Sequence, residues 1–287
     1  MQDEDFPGLF QAADELSKVA QSHFYLALFW NLSFLVIAAA LSVLNYPHWI
    51  AAWLQVLVLL GSLGLSIYLA AKRPERVWYS CRAVAESIKT ITWRYVSRAE
   101  PFYEPDDVAR TMFHKKLESV LAQNTQVADK LIDHIGKPYI TPKMIELRAQ
   151  GLEGRKATYI EHRISNQLNW YSAKAKFNSR RSRNYFKLLI VINVLAIAFS
   201  ASKIKFVEFQ YFPTDVLIAL AASILSWMQA KRYSELSASY ALTAHEIQII
   251  NGQAHELNTD ERFSSFIGDA ENAFSREHTQ WVARKDS

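Results

Sequence analysis

The sequence holds a single cysteine, Cys81. That excludes a disulfide framework and any zinc site built on two or more thiolates. Glycine and proline are scarce, eight of each in 287 residues, and the chain is 50% hydrophobic and 21% charged. Collagenous, low-complexity and disordered proteins have a different composition. Charge is missing altogether from two long apolar runs, residues 24–44 and 49–71. A mean hydropathy of −0.05 averages these runs with strongly basic stretches elsewhere.

At about 1.5 Å per residue, each run matches or exceeds a hydrocarbon core of ~30 Å. Asn45, Tyr46, Pro47 and His48 alone separate them, which predicts a tight helical hairpin with Pro47 as the breaker. Residues 188–201 and 216–230 form a second, shorter apolar pair. Tyr185, Phe186 and a snorkelling Lys187 lengthen the first of these, and Tyr211 and Phe212 lengthen the second. The alternative for this pair is a hairpin buried in a helical domain. Spanning is favoured because Tyr185, Tyr211, Phe212, Trp227 and Tyr233 are placed like interfacial aromatic belts. The segment ahead of residue 24 carries Asp3, Glu4, Asp5, Asp14 and Glu15 against Lys18, the wrong charge for a cleaved signal peptide, so the first run reads as a retained span.

Charge placement predicts the topology. Residues 72–187 hold 23 of the 32 Lys and Arg, and loop 45–48 holds none. The positive-inside rule then places the N-terminus, the central segment and the C-terminus in the cytoplasm, with both hairpin loops outside. The juxtamembrane basic residues Lys72, Arg73, Arg180, Arg181, Arg183 and Lys187 set this orientation and lie on anionic headgroups. An anion site is the sharper reading of the cluster from Arg180 to Lys187. Nucleic acid is not an expected partner.

The chain repeats itself. Ala71-Lys72-Arg73 returns as Ala230-Lys231-Arg232, 159 residues later. Behind the first copy, Val77, Cys81, Val84, Ile88, Ile91 and Tyr95 step 4-3-4-3-4. Behind the second, Leu236, Tyr240, Thr243, Ile247, Ile250 and Ala254 step identically. Each series is a heptad-type seam on a helix. The seam led by Val77, Cys81, Val84 and Ile88 is expected to pack on that led by Leu236, Tyr240, Thr243 and Ile247, within a chain or between protomers. Between the repeats, Pro105 opens a helix with Asp106 and Asp107 in its first turn. Phe113, Leu117, Val120, Val127 and Leu131 continue it as far as Gly136-Lys137-Pro138. Thr141-Pro142 reads as an N-cap with an N1 proline, and Ile160, Ile164, Leu168, Tyr171 and Ala175 form a further stripe. No alternating strand run occurs, so the fold class is an all-α integral membrane protein: two helical transmembrane hairpins with long cytosolic helical extensions.

Within the spans, Asn31, Gln55, Asn193 and Gln229 are the polar groups that demand a partner. They either hydrogen-bond between helices or line a water-filled path. Asn31 and Asn193 sit in the leading helix of each hairpin, which would let both face one central path. Gly61, Gly64, Ala219, Ala222 and Ser226 offer small faces for close helix contact. No Lys, Arg, Asp or Glu lies deep in either hairpin, which argues against an ion-coupled pump.

Catalytic chemistry has little to stand on. His245-Glu246 and His255-Glu256 begin like zinc-protease helices but lack the second His. Gly151 to Lys156 lacks the glycine spacing of a phosphate loop and reads as a helix-breaking turn. Ser62, Ser66, Ser223 and Ser226 have no nucleophile elbow. No enzyme activity, cofactor or metal is expected.

Trp78, Arg82, Glu86, Trp93-Arg94-Tyr95 and Glu100-Pro101-Phe102 after the first hairpin resemble one type of SLATT domain, a two-span membrane domain. Arg163, Gln167, Trp170-Tyr171 and Lys174 before the second hairpin, with Trp227, Leu236, Tyr240 and Glu246 at its end and beyond, resemble another type. The tandem resemblance assigns residues 1–140 to a first repeat, with spans about 24–44 and 49–71. Residues 141–287 form the second, with spans about 186–202 and 212–230. It implies a pore-forming effector of a bacterial conflict system that associates with nucleotide second messengers and arrests or kills an infected cell. The chain would then be multi-pass in the bacterial inner membrane and homo-oligomeric. No nucleotide-making or TIR domain is fused to it, so any sensor would be encoded separately. The alternative is a non-conducting membrane-anchored scaffold or signalling module.

Overall fold

The structure is a computed structural model that describes residues 1–44, 49–131, 136–206, 211–254 and 257–283. It is 87% helical with no strands among the described residues, and it is an all-α membrane protein. The helices are α1 (Gly8–Leu44), α2 (Trp49–Lys72), α3 (Pro74–Val96), α4 (Asp106–Ala122), α5 (Thr125–Ala128), α6 (Pro142–Ala149) and α7 (Leu152–Tyr159). A π-helical segment (Ile160–Ser165) then leads into α8 (Asn166–Lys205), followed by α9 (Thr214–Lys231), α10 (Tyr233–Gln253) and α11 (Asp260–Ala283). The loop Asn45 to His48, the centre of the second hairpin loop and the pair His255-Glu256 lie outside the described residues.

The chain divides into two compact units that each draw on both sequence repeats. One contains Ser22–Pro74 and Ala175–Ala238; the other contains Met1–Gln21, Glu75–Lys174 and Ser239–Ser287. The first is the membrane unit, because it holds all four apolar runs. Its large side chains point outward: Leu26, Phe29, Trp53, Leu57, Leu63, Ile190, Val194 and Ile197 are all exposed. In water such a surface would be costly, and in lipid it is the solvated face. Three helical stretches among the described residues are long and apolar enough to cross a membrane, those beginning at Gly8, Trp49 and Leu152. Helix α9 is not one of them: its 18 residues span only about 27 Å at 1.5 Å per residue, and they include Asp215 and Lys231.

The second unit packs like a water-soluble domain. Phe6 meets Phe10 at 4.7 Å and Trp93 at 6.2 Å, and Trp93 meets Tyr159 edge-on at 5.6 Å. Tyr159 in turn contacts Phe263 and Phe266. Tyr95, Phe102 and Phe113 form an adjoining aromatic cluster. Such pairs stabilise beyond their buried area.

Several local expectations change. Helix α4 does not run on to Leu131: it stops at Ala122, where Asn124 Nδ2 donates to the Val120 carbonyl and Gln123 Nε2 to Ser119 Oγ. Short polar side chains that bond the last carbonyls compete with further helix. Gly151 does break the chain, as the N-cap of α7, but Gly154, Arg155 and Lys156 lie inside that helix rather than in a turn. Thr141 Oγ1 accepts from the Met144 amide, capping α6. The stripe from Ile160 to Ala175 is not one regular α-helix, because its start at Ile160–Ser165 is π-helical. The acidic N-terminal segment is itself helical from Gly8, so α1 extends well ahead of the span.

Candidate functional site

The first hairpin carries a polar cluster in an apolar setting. Ser62 Oγ donates to Asn31 Oδ1 at 2.6 Å, and Asn31 Nδ2 donates to Ser66 Oγ at 3.2 Å. Ser62 and Ser66 lie one turn apart on α2, so one asparagine on α1 reaches both. Close approach is possible because Gly61 has no Cβ: one built there would lie 2.8 Å from the Phe34 ring. Gly64, by contrast, has open space around it. The other polar groups of the spans differ. Asn193 is exposed, and its Nδ2 donates to the Leu189 carbonyl one turn back in its own helix. Gln229 is exposed and Gln55 half-buried. The two asparagines at matching places in the repeats therefore have unlike settings, one tying two helices together and one turned onto its own backbone. Ser226 likewise bonds its own helix, through Ala222.

The end of the membrane unit that holds the Ala-Lys-Arg repeats is aromatic and basic. Tyr185 and Tyr233 stack at 5.5 Å, and Trp227 meets Tyr25 and Phe29 at 5.9 and 6.1 Å. Lys231 Nζ sits 3.1 Å from the Tyr25 ring centre and 5.0 Å from that of Trp227, a cation–π arrangement. Lys72, Arg73, Arg180, Arg181, Arg183 and Lys187 are all exposed. Arg181 lies over Phe177 at 5.3 Å, and Arg73 Nε donates to the Ala70 carbonyl.

Both seams are covered within the chain. Cys81, Val84 and Ile88 are buried with Val77 half-buried, and Tyr240, Thr243 and Ile247 are buried with Leu236 half-buried. Burial pushes the Cys81 thiol up to about 11, so it is a packing residue at neutral pH. Residues of α3 beside its seam, and the seam residue Tyr240, make further contacts. Helix α3 reaches α1 through Arg82 and Asp14, and α11 through Thr90 with Glu271 and Arg94 with Asn272. Tyr240 of α10 meets Trp170 and Tyr171 of α8 at 5.3 and 5.6 Å.

The second unit holds three buried arginines that the sequence reading did not single out as a set: Arg148, Arg155 and Arg163, 2%, 6% and 1% exposed. Arg148 Nη1 donates to the Tyr95 carbonyl at 2.6 Å and Nε to Asp106; Arg155 Nη1 donates to the Ser97 carbonyl at 2.7 Å and Nη2 to Asp260. Both guanidinium groups thus sit on carbonyls at the C-terminal end of α3, where the helix dipole favours a cation. Arg163, on the π segment, forms a bidentate pair with Glu271, 0% exposed, at 2.9 and 2.7 Å. Tyr159 Oη and Thr90 Oγ1 donate to the same carboxylate at 2.9 and 2.8 Å. Burial acts to lower the Arg163 pKa, and the Glu271 carboxylate outweighs it, so the guanidinium is held charged. Burial and then Glu271 push the Tyr159 hydroxyl well above its ordinary value. Arg155 and Arg163 lie eight residues apart on continuous helix, a spacing that was the available signal for that pair, whereas Arg148 sits on α6 beyond the break at Gly151. Of the zinc-protease-like residues, His245 is exposed on α10. Among the described residues no group of three or more His, Cys, Asp or Glu is placed to hold a metal ion.

Comparison with known proteins adds two matches. Residues 7–156 match the family described as SMODS and SLOG-associating 2TM effector domain 3, and residues 159–281 match SMODS and SLOG-associating 2TM effector domain 1. No curated protein and no solved structure matches significantly. The two matches are consecutive in sequence, whereas each compact unit is assembled from parts of both. With a hairpin in each half and matches from residue 7 to residue 281, the chain belongs to the SLATT family of two-transmembrane effector domains, as a tandem of its third and first types.

Proposed function

We propose that this protein is a membrane effector of a bacterial conflict system that oligomerises and forms or opens a pore, with growth arrest or cell death as the outcome. The observation that carries the reading is the pair of two-transmembrane effector-domain matches in one chain. The membrane unit adds to it an apolar outer face broken by polar side chains, among them the exposed Asn193 and Gln229. A lipid-facing amide on an isolated chain gains a partner or water when copies assemble. In this reading there is no catalytic step. The protein crosses the inner membrane four times with both termini in the cytoplasm, as the basic central segment favours. Its partners are the bilayer, further copies of itself and a separately encoded sensor.

Purified protein in liposomes loaded with a self-quenching dye tests the conducting reading. Release that rises steeply with protein-to-lipid ratio is the expected result, and intact liposomes holding fully inserted oligomer would overturn it. One observation favours the non-conducting scaffold as a second reading: Asn31 is already hydrogen-bonded by Ser62 and Ser66, so it stabilises the hairpin without any pore.

A further inference from the structure

A groove of about 450 Å³ opens on the water-soluble unit, between α3, the turn at Pro101-Phe102, the C-terminal half of α4 and the start of Ser275's turn of α11. Its volume falls in the range of small-molecule sites. Among the described residues, the charged side chains that line it are Arg94 and Lys116, and no carboxylate is among them. Ser87, Thr90, Ser119 and Gln123 add hydroxyl and amide groups, while Ile91, Phe102 and Val120 supply an apolar wall.

Arg94 separates this groove from an ordinary surface cleft. Arg148, Arg155 and Arg163 each end on a carboxylate, of Asp106, Asp260 and Glu271. Arg94 does not. Its Nη2 donates to Asn272 Oδ1 at 2.9 Å and the Gly268 carbonyl at 3.4 Å, and its Nη1 to the Glu100 carbonyl at 3.4 Å. Neutral oxygens thus orient the guanidinium and leave its charge uncompensated, and its Nε is buried without a hydrogen-bond partner among the described residues. Lys116 is exposed and has no ion pair among the described residues. Two cations with no carboxylate partner among the described residues, beside the Ser87 and Ser119 hydroxyls, form a setting that an anion with several acceptor oxygens fills well. The groove is far larger than an inorganic ion, and its apolar wall has no role in holding one.

We propose that this groove binds a small phosphorylated organic molecule, its phosphate at Arg94 and Lys116 and its apolar part against Ile91, Phe102 and Val120. The site lies wholly within the soluble unit and does not depend on whether the membrane unit conducts. Its occupant bridges α3, α4 and, through Arg94, the Gly268–Asn272 turn of α11.

Phenyl phosphate is a suitable probe, with inorganic phosphate and phenol as its two halves. The full chain is held in nanodiscs of zwitterionic lipid, so that anionic headgroups contribute nothing, and binding is read by calorimetry. Phenyl phosphate is expected to bind saturably, at least tenfold more tightly than either half. Lys116→Glu is expected to weaken it at least tenfold with an unchanged melting temperature for the free protein, because Lys116 is exposed. Lys115→Glu, the same charge change on an exposed neighbour outside the groove, is expected to leave it within twofold. Arg94→Met also removes contacts to α11, so it serves only if its free protein melts normally, and it should then abolish binding. Equal losses for Lys115→Glu and Lys116→Glu, or no saturable binding by the wild-type chain, would overturn the proposal. Inorganic phosphate binding as tightly as phenyl phosphate would overturn it as well, reducing the site to a bare anion contact.

Discussion

Arg73 and Arg232, the last residues of the repeated Ala-Lys-Arg tripeptide, share a left-handed backbone conformation, with φ 43° and 51°. Each sits between two helices, Arg73 between α2 and α3 and Arg232 between α9 and α10. The amide of each closes the helix it follows, Arg73 onto Leu69 and Arg232 onto Met228. The repeat is therefore conformational as well as textual. A Cβ in this region costs about 1–2 kcal/mol, and neither position is glycine. Arg232 pairs with Glu235, and Arg73 bonds the Ala70 carbonyl, which offsets part of that cost.

Replacing Arg73 or Arg232 by Gly is thus expected to leave stability unchanged or raise it by up to about 1 kcal/mol, because Gly reaches this conformation without strain. The same replacement at Arg76, inside α3, should cost about 1 kcal/mol. Thermal melts of the three variants in one detergent decide it. A loss at Arg73 as large as that at Arg76 would show that the left-handed turn is not what sets the cost.

Asn31→Leu and Asn193→Leu should behave differently despite their matching places in the repeats. The first strands Ser62 and Ser66 and should destabilise the membrane unit by about 1 kcal/mol. The second removes only a bond to its own helix and should leave the monomer's melting unchanged. If Asn193 faces a neighbouring copy, its loss appears instead as smaller oligomers on a sizing column and weaker growth arrest on overexpression. Undiminished toxicity from a well-assembled Asn31→Leu/Asn193→Leu protein would exclude both amides from a conducting path.

The Arg163–Glu271 pair calls for a double-mutant cycle. Arg163→Met or Glu271→Leu alone leaves a buried charge without its partner and is expected to cost about 3–5 kcal/mol. The double variant should cost clearly less than the sum, since neither charge remains. Some loss persists, because Tyr159 and Thr90 also give up their acceptor. Additive losses by denaturant titration would show that the two residues do not act as a pair.

Lys89 carries a pH signature. Its ammonium lies 5.7 and 5.8 Å from the rings of Phe6 and Phe10. Burial lowers its pKa, Glu86 and Asp3 raise it, and Arg163 and Arg82 lower it further. The unfolded chain then holds this proton more tightly than the folded one, so the group works against folding at neutral pH. That penalty fades as pH rises from the lowered folded value toward the ordinary 10.5. Lys89→Met should therefore melt higher than the parent at pH 7, with the gap narrowing as pH rises toward 10.5. A gap that is constant across this range would trace the gain to packing alone.

What could be read from the sequence follows from short-range physics. Uncharged runs as long as 24–44 and 49–71 must be helices in lipid, because no other open backbone is satisfied there. Pro105, Thr141 and Pro142 mark helix starts through their own backbone and side-chain preferences. The 4-3-4-3-4 steps marked the faces that are in fact buried at Cys81, Val84, Ile88, Tyr240, Thr243 and Ile247. Even the repeat showed itself, since Ala-Lys-Arg recurs at a fixed offset.

The partners of those faces belonged to the tertiary structure. A heptad seam states that a stripe will be covered and is silent on what covers it. On the second face Tyr240 met Trp170 and Tyr171, and beside the first face Arg82 and Arg94 of α3 reached Asp14 of α1 and Asn272 of α11. Arg163 and Glu271 stand 108 positions apart, beyond any local pattern, and an arginine in a helix reads as solvated until a carboxylate is brought to it. Non-local packing likewise separates the fates of Asn31 and Asn193. Their sequence settings agree, yet two serines one turn apart on α2 lie within reach of the first, and among the described residues the second bonds its own helix. Polar groups in lipid take whichever partner the packing supplies, and that packing is set by residues such as Gly61 and Phe34 that meet only once the hairpin has closed.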